Sequence, residues 1–234
     1  GILDALGFTF FDSNNNQLNA NVKNLDKIKK IENFPNDDVI NKIDFVIACD
    51  VTNPLTGPKG ATYYFGKQKG ATELIMEFLE KKILHFSKAV VSITSKNYIN
   101  NKGAGAAGGI GFIALSFLNA TFEEGFPLLS KILDLEKKIK HGNYDWIITG
   151  EGCIDKQTIN GKLIWHLGAM GLNASIPIIA FAGKINDNLS ARKLPGITIA
   201  KQITPNNMKL NTAIKNASKN LDISIKKEMT SLLI

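Results

Sequence analysis

The sequence is short of the residues that most readily betray chemistry. Its two cysteines, Cys49 and Cys153, lie far apart and lack C-x-x-C spacing. That excludes a disulfide framework and a zinc knuckle, and each thiol reads as a packed side chain rather than a nucleophile. The three histidines, His85, His141 and His166, are not spaced i, i+4 as on a metal-binding helix. Arginine is almost absent: among 28 basic residues only Arg192 is arginine. A net charge of +7 would otherwise invite a nucleic-acid reading. Guanine recognition favours arginine, however, and the lysines are scattered through the whole chain, so the charge reads as solvated surface. No apolar run approaches the ~20 residues that span a bilayer. No basic, apolar, small-residue succession opens the chain as a signal peptide would. The expectation is a soluble, cytoplasmic protein with neither nucleic acid nor membrane as partner. The P-loop pattern, the protein-kinase signatures and the G-x-S-x-G elbow are missing too.

What is present is an ordinary globular composition, 44% apolar and 21% charged over 234 residues, enough for one large or two modest domains. The opening "ILDALGF" reads as the end of a helix closing at Gly7, and "FTFFDSNNNQL" as a strand and polar turn. "DFVIACD" (44–50) reads as a buried strand, followed by a Gly/Pro/Thr-rich loop from Thr52 to Gly70. Residues 72–90 carry Leu74, Phe78, Leu79 and Ile83 near helical spacing; "AVVSIT" (89–94) is either the end of that helix or a short strand. A glycine-opened apolar helix follows residue 103, and 127–140 reads as one further helix. From Tyr144 the order becomes strand, helix (158–172), strand, strand, helix from Leu210. That alternation implies an α/β fold with parallel strands covered on both faces.

Four glycine-rich segments follow or open regular elements, where α/β proteins hold ligands. In "CDVTNPLTGPKGATYYFGKQKGAT" (49–72), Asp50 ends a strand and so offers a carboxylate at a strand-end crevice; the alternative is a plain surface loop. "GAGAAGGIG" (103–111) satisfies G-x-G-x-x-G through Gly103, Gly105 and Gly108, without the strand and acidic residue of a dinucleotide fingerprint. It suits an anion site at a helix start or close helix packing. "TGEGCIDKQTINGK" (149–162) gathers Glu151, Asp155, Gln157, Thr158 and Lys162 after a strand. Carboxylates there can hold Mg²⁺ and lysine can meet phosphates, whereas the alternative is capping by Asp155 with Thr158 in the first turn. "FAGKI" (181–185) puts Gly183 at a strand end, as a wall of a nucleotide site.

In their order and separation, these segments resemble the bacterial-type (type I) glycerate kinase family. "GILDALGF" resembles the helix after that family's Gly-Gly segment, and "ITPNNMKLNTAIKNASKNL" its closing helix, so the resemblance spans essentially the whole chain. It implies ATP-dependent phosphorylation of D-glycerate with Mg²⁺, usually to 2-phosphoglycerate rather than 3-phosphoglycerate. It implies two α/β domains with the active site in the interdomain cleft. Residues 145–234 would be the C-terminal part of a Rossmann- or flavodoxin-like domain with a parallel sheet, and 1–144 an inserted domain.

On that pattern Asp50 is the base, and Lys69 joins it in the catalytic set. Asn53, Gly66 and Gln68 meet glycerate; Gly105, Gly108, Gly150, Glu151, Thr158, Lys162 and Gly183 line the nucleotide; and Glu151 with Asp155 serves the metal. The chain departs from the family at Lys67, where proline is usual, and at Cys153, often basic. Nothing matches the family's amino-terminal Asp-Ser-Phe-Lys-Gly loop or its Gly-Gly-Glu-Gly-Thr segment. The expectation is therefore a chain lacking the family's N-terminal portion: a proteolytic fragment, a truncated gene product, or one chain of a split enzyme whose partner is a separate N-terminal segment or a second subunit. The alternative function is a catalytically incomplete fragment that binds a nucleotide or a small acid.

Overall fold

The computed structural model describes residues 1–32, 37–155, 158, 163–186 and 194–232. It divides into two compact units, Gly1–Gly125 and Phe126–Ile234. The division falls before the 144/145 boundary expected from sequence. Phe126, Leu135 and Ile139 pack with Ile154, Ile164 and Ile178, so their helices belong to the second core.

The first unit opens with α1 (Ile2–Ala5), then an antiparallel sheet in the order β2 (Gln17–Leu18), β1 (Thr9–Phe11), β3 (Lys30–Glu32). Phe10 pairs with both Leu18 and Ile31 and is buried with Leu3, Phe8 and Ile28. The turn after β1 is closed by Asp12, whose carboxylate accepts the N–H groups of Asn14 and Asn16. The short α2 (Asp37–Ile40) leads to β4 (Val46–Ala48), which pairs in parallel with β5 (Thr121–Glu123). The expected buried strand at 44–50 is thus three residues long and largely exposed, Val46 being 43% exposed. Its apolar run exceeds the cover available: among the described residues β5 is its one strand partner.

Between those strands lie α3 (Ala61–Phe65), α4 (Glu73–Thr94) and α5 (Ile110–Phe117). Thr72 caps α4, its hydroxyl accepting the Ile75 N–H at 3.3 Å. "AVVSIT" is the end of this helix, and Ser95 closes it in the left-handed conformation (φ 57°). Val90 and Phe112 of the two longer helices are buried with Leu55 and Ala104.

From α4, the nearly buried Lys82 donates to the Lys23 carbonyl and pairs with Asp26. That hydrogen bond is the main cause holding the Asp26 carboxyl below its usual range. A depressed carboxylate stabilises the fold above its unfolded pKa and loses that contribution as pH falls through the folded value. Lys82→Met is therefore expected to flatten the acid limb of stability below about pH 4, the ordinary aspartate range, read by urea denaturation at pH 3 and 6.

The second unit begins with α6 (Gly125–Ile132) and α7 (Leu135–His141), where one helix was expected. Asp134, at φ 50°, breaks them. Leu129, Ile132 and Leu133 of the expected apolar side are exposed. A parallel sheet follows in the order β6 (Ile147–Ile154), β7 (Ile178–Ile185), β8 (Ile199–Gln202), with α8 (Leu163–Ala174) linking the first two strands. The central strand β7 is covered on both faces; Ile178, Ile179 and Ala180 have no exposed surface. β6 is not, since Ile148 is 52% exposed. α9 (Leu210–Lys215) and α10 (Ala217–Leu232) end the chain, and Glu228 of α10 pairs with Lys201 of β8 at 2.8 Å.

Candidate functional site

In the first unit three loops interlock around Asp50 and Asn53. The last rung of the β4–β5 ladder is Cys49 N–H to the Glu123 carbonyl, and Asp50 stands just beyond it. Its Oδ1 accepts the Gly125 N–H at 2.7 Å. A carboxylate at the carboxyl end of a parallel strand, fixed by one oxygen, can bind or deprotonate a hydroxyl through the other. Asn53 braces its own loop, donating from Nδ2 to the Lys59 carbonyl at 2.7 Å while its carbonyl accepts the Gly105 N–H at 3.0 Å.

Gly105 is buried in that contact. A Cβ there would lie 2.2 Å from the Pro54 carbonyl oxygen, so the glycine is what lets two backbones touch. The glycine-rich segment at 103–111 thus serves loop packing at Gly105, whereas Gly108 is exposed, with φ 76°. Gly66 follows α3 and turns the chain into a single 3₁₀ turn, Lys67–Lys69. Gln68 and Lys69 are exposed on that turn. Gly66, Lys69 and Gly108 share one cavity of about 620 Å³, otherwise lined largely by apolar groups such as Leu55, Phe65 and Ile113.

Glu80 of α4 was not legible from the sequence as part of this site, because it is one acid among several on a helix. Its Oε1 accepts the Gly57 N–H at 2.6 Å, and its Oε2 is buried without a partner. The carboxylate therefore anchors the Asn53–Gly60 loop to the helix. Glu80→Ala should destabilise the unit by about 1–3 kcal/mol, the usual cost of leaving a buried donor unmet; urea denaturation of the variant checks this.

In the second unit β6 and β7 run further than expected, and Gly150 and Gly183 lie inside paired strands rather than in turns after them. A Cβ on Gly183 would come 2.6 Å from the Gly152 carbonyl oxygen, which gives that glycine a packing reason. Glu151 is on β6 and Asp155 just past it. Both carboxylates converge on Thr158, which has no exposed surface. The Thr158 hydroxyl donates to Glu151 Oε2 at 3.1 Å and accepts the Asp155 N–H at 3.2 Å; Asp155 Oδ1 accepts the Thr158 N–H at 3.3 Å. Asp155 and Thr158 thus cap each other, the alternative weighed above, and the same bonds hold both acids at the end of β6. Lys162 lies outside the described residues. Among the described residues no three His, Cys, Asp or Glu side chains form a metal-holding group, and no helix is long and apolar enough to cross a membrane.

Each unit places an acid at the carboxyl end of a parallel strand, Asp50 after β4 and Asp155 after β6, the position at which α/β proteins hold ligands. The chain belongs to the glycerate kinase family, whose model matches residues 1–233. It is 32% identical over 222 residues to a glycerate kinase of Bacillus subtilis (strain 168), a match covering 95% of this chain and 58% of that protein. It is 31% identical over 221 residues to glycerate 2-kinase of Escherichia coli (strain K12), covering 94% and 58%. A crystal structure described as that of a "putative glycerate kinase 2" from Salmonella typhimurium LT2 superposes with a TM-score of 0.72 at 30% identity, covering 99% of this chain and 60% of that one. The chain therefore spans about three fifths of the length of the curated relatives it matches.

Proposed function

We propose that the protein transfers a phosphoryl group from ATP to D-glycerate, with 2-phosphoglycerate as product. Family membership supports the reaction class; the name of the Escherichia coli relative supports the 2-position. The observation that carries the residue-level reading is Asp50, a strand-end carboxylate held by one oxygen on the Gly125 N–H. In this reading Oδ2 takes the proton of the glycerate hydroxyl as its oxygen bonds to the γ-phosphorus and the bond to ADP breaks. Asn53 and Gln68 orient glycerate, with Lys69 as a cation for its carboxylate or the phosphoryl oxygens. Gly66 sets the turn that presents them. Positioning and charge stabilisation supply most of the rate in such transfers.

The donor set at Glu151 and Asp155 fits Mg²⁺ carried on nucleotide phosphates. That ion usually takes one or two protein carboxylates and fills its other positions with phosphate oxygens and water. Magnesium, when bound there, would neutralise phosphate charge. The second unit's own part is to hold the two acids through Thr158 and to offer the backbone near Gly150 and Gly183 to the nucleotide. Gly105, being buried, acts by packing. On the family pattern we assign residues 145–234 to the Rossmann-like part and 1–144 to the inserted part, with Phe126, Leu135 and Ile139 of the latter packing on the core of the former.

A coupled assay of ADP formation tests the reading, with the chain alone and with the family's amino-terminal segments supplied as a second polypeptide. ADP release that depends on D-glycerate in either sample is the expected result. ATP binding by calorimetry with no product in either would instead favour a nucleotide-binding unit without catalysis.

A further inference from the structure

We infer that Gly125 is the positioning residue for the Asp50 carboxylate, through both its N–H and its missing side chain. The inference rests on the reading of Asp50 as the base. The N–H bond to Oδ1 joins residues 75 positions apart, and Asp50 lies beyond the ladder that orients its strand. Among the described residues, this bond is what fixes the carboxylate, since Oδ2 has no hydrogen bond there.

The glycine is not explained by its backbone, because Gly125 is not among the positive-φ residues. It is explained by room. A Cβ on Gly125 would lie 3.0 Å from Oδ2 and 3.2 Å from Oδ1 of Asp50, closer than ordinary carbon–oxygen contact. Gly125 is itself buried at the first residue of α6 and its Cβ direction is set by the backbone, whereas Asp50 is exposed, so it is the carboxylate that must move. A side chain there obliges the Asp50 carboxylate to give by a few tenths of an ångström, which changes the direction in which Oδ2 meets a hydroxyl. The residue shapes the reacting group without touching substrate.

A double-mutant cycle of Gly125→Ala with Asp50→Ala tests this, read by kcat, by KM for ATP and by Tm. In the preparation that turns over D-glycerate, Gly125→Ala should lower kcat, by up to about 10²-fold, the effect of a reacting group misplaced by ~1 Å, and leave KM for ATP unchanged. In the Asp50→Ala background it should cost nothing further. Tm offers a second reading that needs no activity: Gly125→Ala lowers it when Asp50 is present and not when Asp50 is alanine. Equal losses in both backgrounds would overturn the inference. Wild-type turnover in Asp50→Ala would instead overturn the assignment of Asp50 as base, whatever Gly125→Ala does.

Discussion

Asp50→Asn is expected to cut D-glycerate turnover by about 10²–10⁴-fold, the range supplied by a positioned general base. The exchange is nearly isosteric. Its amide oxygen can still accept the Gly125 N–H that now meets Oδ1 at 2.7 Å, so folding should survive. What is lost is an oxygen able to take a proton. Nucleotide affinity should therefore stay near the unaltered value while kcat falls, a pattern that separates lost chemistry from lost binding. Steady-state kinetics with ATP and D-glycerate varied in turn make the distinction. A variant within about two-fold of the original kcat would place the base elsewhere, since removing a working base costs far more.

Phe112→Ala carries the largest expected effect on stability, about 3–5 kcal/mol for a large aromatic removed from a packed core. Phe112 is 1% exposed and packs with Leu55, Val90 and Ala104, and its backbone N–H donates to the Ala104 carbonyl at 2.9 Å. Leu55 and Ala104 belong to the two loops that meet at the Asn53–Gly105 hydrogen bond. The cavity should therefore loosen those loops as well as lower the urea midpoint. Ile132→Ala is the contrast: at 67% exposure it should change stability by less than about 0.5 kcal/mol. Equal midpoints for the two variants would contradict this account of the first core.

Much of the second unit was legible because its signals are local. The apolar run at 178–182 forms a strand covered on both faces, and the helix before it is the linker expected between parallel strands. The family was legible from glycines and acids held in order over the whole chain. What stayed hidden depends on contacts distant in sequence. β5 is three residues long and takes its place from pairing with β4, which no periodicity over Thr121–Glu123 announces. The break at Asp134 was obscured because its neighbours Ile132 and Leu133 carry the helical apolar spacing yet face outward. Gly150 and Gly183 resemble turn residues, yet both lie within paired strands. Glu80 and Gly125 act through single hydrogen bonds to loops 23 and 75 positions away, for which a sequence holds no marker.

On the proposed reading, this chain bears the glycerate-side residues of a phosphotransferase. The most direct measurement is ³¹P NMR of ATP, Mg²⁺ and D-glycerate incubated with the protein and the family's amino-terminal segments. The account predicts a new phosphomonoester resonance coupled to the single proton on C2, growing as the γ-phosphate signal falls. A folded, nucleotide-binding preparation that yields no phosphoglycerate, or inorganic phosphate alone, would contradict it.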